Sequence, residues 1–226
     1  MEEKTGVIKL IYNDRGFGFI KTDISEDIYF KTNKSTEELQ KDDHVAFLLN
    51  RKNGKTSATA VRKIYTNNQG VLFIPRVNSF HIHSGVEKYL PQVFNSINLQ
   101  DQEFIVEQVD FEEPVGKSIL VPTTESDKII YAIRKGRQNY SRFVLNREPV
   151  DSSSITIVLK KMDTYYMIIS CFVGEKAQPE PWDPKSTSES LLFWSQNALI
   201  FGSEPIKEGT ETDVCPVSFN EKIKIQ

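Results

Sequence analysis

Arg15-Gly16-Phe17-Gly18-Phe19-Ile20, followed by Asp27-Ile28-Tyr29-Phe30-Lys31, decides the reading of this chain. Side chains alternate faces along a strand, so Phe17 and Phe19 point one way, and Tyr29 and Lys31 share a face of theirs. Gly16 and Gly18 leave the backbone beside the rings uncrowded. Aromatic rings flanked by Lys and Arg on an open sheet form a stacking platform for unpaired bases. Every base has a π-face, so such a platform tolerates many sequences. The competing reading is a barrel whose aromatics serve core packing or a protein contact.

The flanking sequence reads as more of the same element. Residues 5–12, 16–22, 27–32, 44–51 and 57–64 are short runs rich in β-branched and aromatic residues. Turn chemistry separates them: Asn13-Asp14, residues 23–26, Asn33-Lys34-Ser35 and Asn53-Gly54. Asn-Gly tolerates the positive φ angles of a tight hairpin. Five such strands in so short a stretch point to a small barrel.

At this point the residues resemble a family. Residues 5–65 are similar to a cold-shock domain: GVIKLIYNDRGFGFI looks like its first two strands, and DIYFKT like its third. The resemblance implies a five-stranded OB-type barrel that binds single-stranded RNA or DNA. It implies Lys9, Phe17, Phe19, Tyr29 and Lys31 as contact residues, with Arg15 beside them. The chain departs from the family pattern at three positions. Leu10 stands where Trp is usual, Ile11 where Phe is usual, and Lys31 where His is usual. Loss of an exposed Trp removes a stacking surface and implies weaker binding.

Composition frames the rest. The 226 residues fit one large domain or two modest ones. No apolar run approaches the roughly 18–20 residues that span a bilayer. The first ten residues show no signal-peptide core, so the cytoplasm is the expected compartment. Cys171 and Cys215 are the only cysteines, too few for a disulfide scaffold or a thiolate zinc site. No metal or other cofactor is expected. The formal net charge of −3 hides an uneven distribution. Residues 1–65 carry 12 Lys and Arg against 10 Asp and Glu, while 66–226 carry 16 against 21. Within the acidic part, residues 128–147 hold Lys128, Arg134, Lys135, Arg137, Arg142 and Arg147 and no acid. A polyanion responds to that local field rather than to the sum.

The expected fold class is therefore two domains: an all-β five-stranded OB-type barrel followed by an α+β domain with a central antiparallel sheet. The boundaries fall at 1–65, a linker at 66–70 (TNNQG) and 71–226. In the second part, helical spacing runs from His83 to Ile97, with Ser84-Gly85-Val86-Glu87 as a capping box and Pro91 marking a kink or a start. Residues 155–160 and 165–173 are expected as an antiparallel hairpin at the centre of a sheet. Residues 175–190 contain three prolines and read as loop. Ser186-Thr187-Ser188-Glu189 offers a second capping box before a short helix.

This second part contains no phosphate-binding glycine loop and no nucleophile elbow. A magnesium site at Asp110, Glu112 and Glu113 competes with a plain solvated strand end. The basic island presents fixed paired donors suited to a phosphate in flight. Without a metal, the feasible chemistry on RNA is attack by its own 2′-OH, which needs a base, an acid and cationic stabilisation. The layout, and an RKGR, SRFV, EPWD and FW pattern, resemble the metal-independent ribonuclease toxins of the barnase/colicin/RelE-like group. The resemblance implies an endoribonuclease with Arg134, Arg137 and Arg142 at the phosphate and His81 or His83 as base. It implies an acid/base His where Asn197 stands, so that this form would be inactive. An antitoxin or immunity protein covering the basic island is the partner that goes with it. The alternative is a non-enzymatic RNA chaperone or translational regulator with a C-terminal protein-interaction domain. Within that alternative the arginines are a solvated turn and Asn197 a helix cap.

Overall fold

The computed structural model of the chain describes residues 3–23, 26–33, 36, 38–52, 54–77, 82–83, 85–99 and 101–220. His81, Ser84 and Asn53 lie outside the described residues. Five strands at the N-terminus close into a barrel: β1 (Glu3–Tyr12), β2 (Phe17–Lys21), β3 (Ile28–Lys31), β4 (His44–Lys52) and β5 (Lys55–Lys63). Their order around the barrel is β1-β2-β3-β5-β4. Every pairing is antiparallel except β3 with β5. The expected five-stranded barrel is thus present.

Period-two alternation builds its core. Ile8, Ile20, Phe30, Val45 and Phe47 are fully buried inside it, joined by Ile28, Leu39, Leu49 and Val61. One irregularity sets the outer face. Ile8 pairs with Ile20, yet Leu10 pairs with Phe19, so β1 carries one extra residue at Lys9. A bulge of this kind flips the alternation beyond it. Without it Leu10 would follow Ile8 inward. With it Leu10 faces out beside Phe19, and Ile11 packs on the core. Gly18 points inward rather than easing the open face. A Cβ there would lie 2.6 Å from the Phe30 ring and 2.8 Å from the Leu10 carbonyl oxygen. Gly16 has φ +75°, which suits the turn between β1 and β2.

After the barrel come β6 (Tyr65–Thr66), β7 (Leu72–Pro75), α1 (Leu90–Ser96), β8 (Phe104–Asp110), β9 (Gly116–Ser118), β10 (Leu120–Pro122), β11 (Ile129–Ile133) and β12 (Tyr140–Val144). Then follow β13 (Val150–Ser152), β14 (Ser154–Lys161), β15 (Tyr166–Val173), α2 (Ser188–Gln196), β16 (Asn197–Ile200) and α3 (Val217–Asn220). Residues 66–70, expected as a linker, close a β6–β7 hairpin. Asn67 organises its turn: the side chain is buried, and Oδ1 accepts from Gln69 N at 3.0 Å and Val71 N at 2.9 Å.

Packing divides the chain into two compact units, Met1–Glu107 with Ile157–Phe172, and Gln108–Thr156 with Val173–Gln226. In the first, the buried Arg62 links β5 to its surroundings, donating to Pro75 O at 2.6 Å and pairing with Glu3. Phe94 of α1 stacks on Phe73 with centroids 4.1 Å apart. α1 starts at Leu90 with Pro91 in its first turn, where the missing N–H costs no hydrogen bond. A short 3-10 turn, Glu87–Tyr89, precedes it, and Glu87 Oε2 accepts from Gly85 N at 2.8 Å. Of the two readings of Pro91, a kink or a start, the helix takes the second, and the residues before it form the separate 3-10 turn.

A five-stranded sheet has the order β6-β7-β15-β14-β8 and places the β14–β15 hairpin centrally, as expected. It is mixed rather than antiparallel, because β7 pairs parallel with β15. In the second unit the order β10-β16-β12-β11 is also mixed: β16 pairs parallel with β12. The chain from β12 to β16 returns through α2, the kind of long crossover that a parallel pair requires. Residues 205–212 cover the β11 edge through bridges from Tyr131 to Thr212 and from Arg134 to Ile206. Phe143, Ala132 and Trp194 lie at the heart of this unit. Among the described residues no helix is long and apolar enough to cross a membrane.

Candidate nucleic-acid interface

The strand registers place six side chains in two cross-strand rows on the outer face of the barrel. Leu10, Phe19 and Tyr29 form one row, and Tyr12, Phe17 and Lys31 the other. Four of the six are aromatic, and each ring touches the next. Tyr29 and Phe19 centroids lie 6.0 Å apart, Phe19 and Phe17 5.8 Å, Phe17 and Tyr12 5.2 Å, and the diagonal pair Phe17–Tyr29 5.9 Å. Tyr12, Leu10 and Tyr29 are exposed, while Phe17 and Phe19 are half-buried by their neighbours. These rings are therefore not core, since the barrel interior is filled by a separate aliphatic and Phe30/Phe47 cluster.

Cations rim the rings. Arg15, in the β1–β2 turn, carries its guanidinium 5.7 Å from the Tyr12 centroid and 3.8 Å from Asp14. Lys9 sits at the bulge and pairs with Asp27 at 2.5 Å. Lys31 is exposed at the corner of the second row. The six residues expected as contacts, Lys9, Arg15, Phe17, Phe19, Tyr29 and Lys31, thus come together on one surface. Leu10, at the position where the family has an exposed Trp, belongs to it as well, and so does Tyr12, which was missed. Plain alternation from Ile8 sends both inward, and only the bulge brings them out. The signal available was the apolar run Leu10-Ile11-Tyr12, which strict alternation cannot accommodate.

The residues expected to carry phosphate chemistry are placed differently. His83 is exposed in the first unit, 5.9 Å by ring centroid from Phe172, whereas Arg134, Arg137, Arg142 and Asn197 belong to the second. Arg142 Nη1 lies 2.8 Å from Trp194 O, 2.9 Å from Ser195 O and 2.9 Å from Asn197 O. It neutralises the C-terminal end of α2, where main-chain oxygens carry partial negative charge. Arg134 donates to Glu180 at 2.7 Å and to Glu204 at 3.3 Å. Arg147 pairs with Asp127 at 3.0 Å. Lys128, Lys135 and Arg137 remain exposed in the island. Burial raises the Glu180 carboxyl above its ordinary value, opposed by Arg134.

Asn197 is the C-cap of α2, as one reading had it, but with φ −128° and ψ 153° rather than left-handed. Its Nδ2 donates to Phe193 O at 2.9 Å. The N-cap of α2 falls one residue later than expected. Thr187 and Ser190 form the reciprocal pair, Ser190 N donating to Thr187 Oγ1 and Thr187 N to Ser190 Oγ. Asp110 accepts from Ser154 Oγ at 2.6 Å and from Gln108 at 2.8 Å, contacts that hold its carboxyl below the usual range. Among the described residues no group of three or more His, Cys, Asp and Glu side chains is disposed to hold a metal ion. Cys171 is fully buried, and burial pushes its thiol up to about 12.

Residues 4–64 match the family model described as the "Cold-shock" DNA-binding domain. No curated protein and no solved structure matches the chain. The match covers the closed barrel and none of the sheets beyond it, so the barrel is a cold-shock domain of OB type.

Proposed function

We propose that this protein binds single-stranded nucleic acid on the aromatic face of its barrel and acts there as an RNA chaperone or translational regulator. The observation that carries the proposal is the continuous contact of four rings, Tyr29, Phe19, Phe17 and Tyr12, on an outer surface rimmed by Lys9, Arg15 and Lys31. Ring-to-ring spacings of 5.2–6.0 Å exceed the roughly 3.4 Å rise of stacked bases in a duplex strand. Bases that each settle on a ring must be splayed, which a single strand permits and a duplex does not. Lys9, Arg15 and Lys31 then meet the phosphates, and Phe17, Phe19 and Tyr29 meet the bases.

The functional division follows the barrel at residues 1–65, with 71–226 in a non-enzymatic role, such as docking a protein. The geometry favours this over RNA cleavage, because Arg142 and Arg134 are engaged by protein oxygens rather than free for a phosphorane. Titration of labelled single-stranded and duplex oligonucleotides tests the proposal. Binding should be confined to the single strand, and Phe17→Ala with Phe19→Ala should weaken it by about 2–6 kcal/mol. Equal affinity for duplex, or an unaffected double variant, refutes it.

A further inference from the structure

We infer that Tyr12, together with Arg15, forms an additional base-binding subsite at the edge of the barrel face; the inference rests on the single-strand reading above. The bulge at Lys9 puts Leu10 and Tyr12 on the outer face together. Leu10 supplies an apolar floor but no π-surface beside Phe19. The aromatic path therefore cannot continue onto β1 along the Leu10–Phe19–Tyr29 row. It continues along the other row, from Phe17 to Tyr12, where the rings are closest at 5.2 Å. Tyr12 lies directly opposite Phe17 in the register and is 36% exposed, so one side of its surroundings is open to a ligand.

Arg15 completes the subsite. Its side chain is 69% exposed, and its ionic neighbour among the described residues is the likewise exposed Asp14 at 3.8 Å, so it is free to turn. From its place 5.7 Å from the Tyr12 centroid, a short swing brings the guanidinium to a phosphate or onto the far side of a base resting on Tyr12. The occupant is the terminal unpaired base of a strand already seated on Phe17, Phe19 and Tyr29. A strand too short to reach β1 does not use it.

The test measures binding of oligouridylates of increasing length to the full chain by fluorescence anisotropy. Tyr12→Ala should lower affinity for the long oligomer roughly 5- to 150-fold and leave a trinucleotide unchanged. Tyr12→Leu preserves apolar packing and should lose the same amount, whereas Tyr12→Phe should retain binding. Unchanged long-oligomer affinity in Tyr12→Ala, while Phe17→Ala weakens it, overturns the subsite and leaves the single-strand reading standing. An equal loss at every length also overturns the subsite. Absence of binding by the unaltered chain overturns the reading beneath it.

Discussion

Arg142 Nη1 donates to the main-chain oxygen of Asn197, 2.9 Å away, and sits within the same distance of the Trp194 and Ser195 oxygens. The arginine thereby fastens β12 to the end of α2 and to the first residue of β16. Charged hydrogen bonds of this kind contribute about 1.5–3 kcal/mol, and a cation at a helix C-terminus adds up to about 1. Arg142→Ala should therefore lower stability by about 2–3 kcal/mol in chemical denaturation, with Arg142→Lys intermediate. Asn197→His should not confer RNA cleavage on the chain, because the neighbouring guanidinium is already committed. Cleavage of a labelled RNA by that variant, abolished by Arg142→Ala, would contradict this account.

Glu180 is 93% buried by its 7% exposure and has Arg134 as its cationic partner. Arg134→Ala leaves the buried Glu180 carboxylate without its cation, a loss of about 3–5 kcal/mol, whereas Glu180→Ala leaves Arg134 paired with Glu204. Arg134→Ala should thus cost more than the double replacement of Glu180 and Arg134 by apolar residues. The pH dependence has a definite sign. Burial raises the folded-state pKa above the unfolded value, so the folded state binds the proton more readily. Its contribution is complete below the ordinary glutamate value of about 4.3 and is lost as pH rises through the raised folded value. Asp127 behaves oppositely: its backbone hydrogen bond from Thr124 and its Arg147 contact lower its pKa, so its contribution is lost in acid. Urea melts across this range should show a shallower decline above the ordinary glutamate value in Glu180→Gln than in the unaltered chain. An identical pH profile would rule the burial argument out.

Gly18 faces the core with the Phe30 ring against it. A methyl group there meets ring carbons at 2.6 Å and the Leu10 oxygen at 2.8 Å, and Phe30 is fully buried with no room to retreat. Gly18→Ala should destabilise the barrel by about 3 kcal/mol or more, at the upper end of overpacking effects. Gly16→Ala differs in mechanism. The nearest atom would be Thr32 Oγ1 at 3.8 Å, so space exists, but φ +75° penalises a side chain by about 1–2 kcal/mol. Thermal melts should rank Gly18→Ala well below Gly16→Ala. The reverse order would mean that strain, not crowding, governs this turn.

The barrel was legible because its signals are local. Strands alternate, turns carry Asn and Gly, and the Phe17, Phe19 and Tyr29 spacing falls on one face without knowledge of any distant contact. Tyr12 was illegible because a one-residue bulge reverses parity, and bulges leave little trace in composition. The partners of the arginines were illegible for a different reason. A basic island in sequence says nothing about the acids and carbonyls that fold against it, and Glu180, Glu204 and the end of α2 lie some 40–70 residues away along the chain. The parallel pairings of β7 with β15 and β12 with β16 are equally non-local, and periodicity cannot distinguish them from antiparallel ones.

Lys9 and Asp27 form an ion pair at the rim of the aromatic face, with side chains 50% and 36% exposed. Exposed pairs contribute about 0–1 kcal/mol to stability, so the pair is easily exchanged for another partner. A phosphate arriving beside Phe19 competes with Asp27 for the Lys9 ammonium and meets the Asp27 carboxylate as a like charge. Asp27→Asn removes both obstacles. It should leave the melting temperature nearly unchanged and raise affinity for single strands several-fold at low salt. It should also steepen the dependence of log affinity on log salt by about 0.7, the increment for one further phosphate contact on a single strand. Lys9→Gln should do the reverse, and in the double variant the Asp27→Asn gain should shrink to the effect of lost repulsion alone. Equal salt slopes for Asp27→Asn and the unaltered chain would place Lys9 outside the phosphate path.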